Sequence, residues 1–131
     1  MENKSEVEDF KQKSVFVVCR AGSDRSKYIA EELQQRGYVA YHGGTMRTHN
    51  YVTTDDLSFV GSIVFSSIHE KKQFDEDTRL KNFVKRNGIN IHVMNITESD
   101  KNRAHDSGKV DALKKEISSQ LNTLGFRDIS S

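Results

Sequence analysis

The chain carries 131 residues, with 20 Lys and Arg against 19 Asp and Glu, and its formal charge of +1 leaves no basic footprint for nucleic acid. That length suits a single hydrophobic core, no apolar run approaches the roughly 18 residues of a membrane span, and MENKSEVEDF lacks the apolar centre of a signal peptide. One Cys excludes an intramolecular disulfide and a multi-cysteine zinc site, so the expectation is a cytoplasmic or nuclear chain with one thiol.

Residues 1–13 are charged and weakly patterned. They read as a polar N-terminal tail, or as a short helix opened by the Ser5–Glu8 capping pair, with residues 14–131 as one domain. Ser14–Cys19 (SVFVVC) is an unbroken β-branched and aromatic run, the pattern of a strand buried on both faces. RAGSDR breaks it. From Ser26 the chain turns helical, with Ile29, Ala30 and Leu33 on one face and Gly37 as the stop. Tyr38–Tyr41 reads as a second strand ended by Gly43 and Gly44, and Thr53 with Asp56 as a helix start whose apolar face is Leu57 and Val60. Ser62–Phe65 is a third strand. In the charged stretch 68–87, Leu80, Phe83 and Val84 have helical spacing and Gly88 ends them. Ile89–Ile96 is a fourth strand, residues 97–106 a polar loop. Val110, Leu113, Ile117, Leu121 and Leu124 form one helical stripe behind Ser107 as N-cap.

Strands alternating with helices specify βαβ units with right-handed crossovers. The expected class is α/β, a three-layer sandwich around a four-stranded parallel sheet. Ligands bind such sheets off the carboxyl ends of the strands, near a topological switch point. That edge holds the loops 19–26, 42–51, 66–68 and 97–106.

The first of these loops, Cys19-Arg20-Ala21-Gly22-Ser23-Asp24-Arg25-Ser26, carries the chemistry. A short loop between a strand and a helix can turn its backbone N–H groups inward as an anion nest, and the helix adds its positive end. Gly22 permits the positive φ of a tight curl. Arg25 can grip two phosphate oxygens at once, which Lys cannot. Cys19 lies beneath this field, and donors that bind phosphate also favour a thiolate. Ser26 can donate its hydroxyl to the sulfur. Residues 20–26 are therefore the expected phosphate-binding set. A buried strand cysteine followed by a solvated loop is the plain structural reading of the same residues.

C-x5-R-S directly after the first strand resembles the phosphate-binding loop of the low-molecular-weight protein-tyrosine phosphatases. The likeness runs through VFVVCRAGSDRSKYIAEEL to YVAYHGGT, where His42-Gly43-Gly44-Thr45 stands for a Ser-Ala-Gly-Thr-like turn. The chain is also similar to the related phosphatase that acts on phosphoserine in the RNA polymerase II C-terminal repeat. That relative has a short first helix ending in a Lys-Arg-Gly-like stretch, here Gln35-Arg36-Gly37. The chain departs from the family at Lys27, where Pro is usual, at Asp24, where a second Cys is frequent, and in having no Asp-Pro acid loop, because it has no Pro.

The resemblance implies the low-molecular-weight-phosphatase fold and a cysteine-dependent phosphomonoester hydrolase. Cys19 would attack phosphorus to form a phosphocysteine, with Arg25 clamping the phosphoryl oxygens. It places the acid that protonates the leaving oxygen in the loop after the fourth strand, where Asp100 fits best and Glu98 and Asp106 are reserves. Tyr51 is the best candidate for a substrate wall, with His49 or Tyr41 beside it. Arg47, Lys101 and Arg103 would favour acidic or multiply phosphorylated substrates. The implied partner is a phosphorylated protein or a small phosphoester, with neither membrane nor cofactor. No metal is expected, since the five histidines form no i,i+4 pair.

Three rival readings share the scaffold. A phosphocysteine carrier like the phosphotransferase-system IIB subunit normally lacks the loop Arg. An arsenate reductase needs further cysteines to resolve its adduct. A non-catalytic phosphate- or phosphopeptide-binding module would keep the nest without the acid.

Overall fold

The apolar run Ser14–Cys19 forms strand β1, and all 6 of its residues are buried, as a strand covered on both faces requires. The computed structural model describes residues 4–20, 24–46, 50–96 and 107–130. Three further strands, β2 (Val39–Gly44), β3 (Ser62–Phe65) and β4 (Asn90–Val93), complete a sheet of order β2-β1-β3-β4. Every pairing is parallel, with Val17 opposite His42, Val18 opposite Phe65, and Phe65 opposite Val93. The helices are α1 (Lys4–Lys13), α2 (Asp24–Gln35), α3 (Ile68–Glu76), α4 (Thr78–Asn87) and α5 (Ser107–Thr123). The protein is thus α/β, with an all-parallel four-stranded sheet between helical layers. No helix among the described residues is long and apolar enough to cross a membrane.

Alternation along the strands sends side chains to two cores. Val15, Val17 and Val64 meet Ile29 and Leu33 of α2 and Leu113, Ile117 and Leu121 of α5 on one face. Phe16, Val18, Ile63 and Phe65 meet Phe74 of α3 and Leu80 and Val84 of α4 on the other. There Phe65 and Phe74 pack edge to face, with ring centroids 5.1 Å apart. Leu113, Ile117 and Leu121 of the expected stripe form the core face of α5, Leu124 packs against the same cluster just past its end, and the Val110 side chain lies outside the described residues.

Several elements differ from the sequence reading. Residues 4–13, read as a tail or a short helix, are helical and dock at the amino ends of the strands. The Ser14 hydroxyl donates to the Phe10 carbonyl at 2.7 Å, and a Cβ on Gly61 would stand 2.3 Å from the Lys11 carbonyl oxygen. Strand β2 runs on through Gly43 and Gly44. The glycine is what lets it: a Cβ at Gly43 would come within 2.8 Å of the Phe16 ring. The helix expected from Thr53 does not form. Its cap does, with Thr53 N–H donating to Asp56 Oδ2 at 2.9 Å and Asp56 N–H to Thr53 Oγ1 at 3.3 Å, but only i→i+3 turns follow. So short a segment gains too few bonds to sustain a helix. The 68–87 stretch divides at Asp77. Its extended backbone ends α3, and its carboxylate accepts from the N–H groups of Arg79 and Leu80 to start α4.

The amino-terminal and carboxy-terminal halves are tied together by Arg36, just past α2 and 7 % exposed. Its guanidinium donates to Glu32 Oε1, Asn122 Oδ1, the Phe126 carbonyl, and the carbonyl and hydroxyl of Ser118, between 2.7 and 3.2 Å. All five N–H donors are used.

Candidate functional site

Strand order reverses between β1 and β3: the chain leaves β1 for β2 on one side and returns to β3 on the other. The carboxyl ends of β1 and β3 therefore flank the switch point where such sheets bind ligands. Cys19 closes β1 there, and Ser66 follows β3, its N–H donating to the Val18 carbonyl at 2.9 Å.

Cys19 is 3 % exposed, and its sulfur faces a hydroxyl: Sγ lies 3.2 Å from Oγ of Ser26, itself fully buried. As a thiol Cys19 donates in this pair; as a thiolate it accepts from the Ser26 hydroxyl. Ser26 Oγ also stands 3.5 Å from His42 Nδ1 on β2. Helix α2 begins at Asp24, two residues before the expected start, so Arg25 and Ser26 both lie in its first turn, where the helix dipole favours negative charge. The Arg25 side chain is 23 % exposed, with Nη2 4.0 Å from Glu70 Oε1. Arg20 is exposed, and its carbonyl accepts from the N–H groups of Thr45 and Met46 at 2.9 Å, which fastens the loop after β2 to the end of β1.

Other expected site residues meet different fates. Ala21, Gly22, Ser23, Arg47, His49, Glu98, Asp100, Lys101, Arg103 and Asp106 lie outside the described residues, as does the Asp24 side chain. Tyr51 is half-buried, and its hydroxyl donates to Asp77 Oδ2 at 2.6 Å. That bond, more than any other contact, holds the Asp77 carboxyl below the usual carboxylate range. Tyr41 is exposed on the edge strand. Among the described residues no three His, Cys, Asp or Glu side chains converge as a metal site.

Sequence reasoning missed the residues that α3 brings to this edge. Glu70 is 3 % exposed and accepts a hydrogen bond from the Ser67 hydroxyl. Ser67 is the N-cap of α3, its Oγ accepting from His69 N–H at 3.2 Å. The Ser67-x-x-Glu70 spacing is the capping-box signature and could have marked this helix start. Thr45 donates to Gln73 Oε1 at 2.6 Å, so α3 is also bonded to the loop after β2. Ser66 is fully buried, and among the described residues its hydroxyl has no hydrogen-bond partner, a feature no sequence pattern signals.

The arrangement joins a sulfur, a hydroxyl, a helix N-terminus and a guanidinium at one switch point. That set suits an anion and a nucleophilic attack upon it. Comparison with known protein families, with characterised proteins and with solved structures finds no match.

Proposed function

We propose that this protein is a cysteine-dependent phosphomonoester hydrolase on a low-molecular-weight-phosphatase-like scaffold, acting on a phosphorylated protein or a small phosphoester. The observation that carries the reading is Cys19 Sγ, 3.2 Å from Ser26 Oγ at the start of α2, with Arg25 on the same helical turn. The Cys19 thiolate attacks phosphorus in line. The P–O bond to the leaving group breaks as the S–P bond forms, and the acid, assigned to Asp100 by resemblance, protonates the departing oxygen. Water, passing its proton to the carboxylate that gave one up in the first step, then displaces the cysteine, giving inorganic phosphate and restoring the thiolate. Arg25 holds the equatorial oxygens through both steps, and the Ser26 hydroxyl stabilises the sulfur as it leaves.

The test is turnover of p-nitrophenyl phosphate by the native protein and by Cys19→Ser. The variant should lose about a thousandfold or more of the activity, because the covalent route is closed. Full activity in Cys19→Ser would overturn the nucleophile. The 3 % exposure of Cys19 favours a second reading, a phosphate- or phosphopeptide-binding module. Phosphate binding by a native protein without turnover would select it.

A further inference from the structure

We propose that Glu70 is a positioning residue for Arg25, fixing the direction of the guanidinium; its role in turnover rests on the phosphatase reading above. Glu70 lies in the first turn of α3, just beyond β3, across the switch point from Cys19. Its neighbours in IHEKKQFDE are mostly half-buried or exposed, yet Glu70 is 3 % exposed. A carboxylate withdrawn that far from water is costly unless charged or hydrogen-bonding groups meet it.

Two groups do. The Ser67 hydroxyl donates to one carboxylate oxygen, and Arg25 Nη2 stands 4.0 Å from the other. Ser67 is itself held by the cap of α3, since its Oγ accepts from His69 N–H. The carboxylate is thus anchored by its own helix before it meets the arginine. The rigid partner sets the direction of the flexible one. A guanidinium held in one direction presents its planar fork in one orientation, which a two-point grip on phosphate requires. Charge on Glu70 also opposes anion binding, so it earns no place here as a phosphate ligand. Its value lies in orientation.

The experiment uses the full chain and p-nitrophenyl phosphate. Glu70→Gln keeps the shape and an acceptor for Ser67 but removes the charge. Its kcat should fall about tenfold or more, while the same change made in Arg25→Lys should cost less than about twofold, because a residue acting through Arg25 loses its effect once Arg25 is gone. A purely structural role would give additive losses. The Arg25 Nε–H resonance should shift or broaden in Glu70→Gln. Native-like turnover in Glu70→Gln, or additive losses in the double variant, would overturn the proposal and leave the phosphatase reading standing. If the native protein does not turn over the substrate, the phosphatase reading fails, and the Arg25 resonance decides alone: unchanged by Glu70→Gln, it overturns the positioning. Should Glu70→Gln not fold, Ser67→Ala removes the anchoring hydroxyl and keeps the charge. A fall of about threefold is then expected, and unchanged turnover overturns the proposal.

Discussion

Helix α2 has an arginine at each end, and the two face different parts of the molecule. Arg36, past the carboxyl end, is 7 % exposed and donates all five of its guanidinium N–H groups to Glu32, Ser118, Asn122 and Phe126. Arg25, in the first turn, keeps a 23 % exposed side chain and meets Glu70 at 4.0 Å. The first is a cross-link: a charge taken from water and matched donor for donor, joining α2 to α5 and the segment that follows. The second stands at the switch point, in the first turn of α2 next to Ser26, which meets the buried Cys19, and it faces a carboxylate from another helix. Residue type is the same; placement, at the seam between α2 and α5 or at the carboxyl edge of the sheet, separates the part that maintains the fold from the part to which we assign chemistry.

The comparison can be broken most decisively at Arg36. Arg36→Ala strands the carbonyls of Ser118 and Phe126 and the Glu32 carboxylate, and should destabilise by about 3–5 kcal/mol, read as a lower urea midpoint. Turnover per folded molecule should not change. Arg25→Lys should do the reverse, losing about a hundredfold in kcat/KM, or ~2.7 kcal/mol, with little change in the urea midpoint. If it lowered stability and spared turnover, the two arginines would be equivalent and the contrast would fail.

Smaller effects sharpen the same contrast. Tyr51→Phe removes the phenol that donates to Asp77 and should cost about 1 kcal/mol near neutral pH. The sign with pH follows from linkage. Asp77 is held below its ordinary value of 3.8 in the folded protein, so the unfolded chain binds its proton first as pH falls. The stability it contributes is complete above about pH 5 and lost as pH drops through 3.8 to the folded value. The gap between Tyr51→Phe and native protein, measured by urea unfolding, should therefore narrow below pH 4. A gap independent of pH would place the stabilisation elsewhere. Ser66→Ala should have the smallest effect. The hydroxyl is buried and has no partner among the described residues, so its removal should leave stability unchanged or raise it by up to about 1 kcal/mol. A clear loss of stability would mean that this hydroxyl is bonded in solution.

Local pattern carried much of the fold. The β-branched runs Ser14–Cys19 and Ser62–Phe65 are strands with the expected limits, and the Leu113, Ile117 and Leu121 stripe is the buried face of α5. Periodicity suffices there because burial of apolar side chains is the dominant force and repeats at the period of the element. It fails where competing local bonds are nearly balanced. Thr53 and Asp56 form a cap without a helix, and Asp77 divides one charged stretch into two helices. At the candidate site, the placement of Cys19, Arg25 and Ser26 was legible because a strand end and a helix start are neighbours in the chain. Glu70 beside Arg25, Tyr51 on Asp77, and Arg36 in its cage of acceptors were not. Along the chain, a charged or polar side chain facing water and one sealed in a pocket look alike. Chain order and hydrophobic spacing decide which segments become strands and helices. Only the packing of distant segments decides which polar groups lose their water and must find each other.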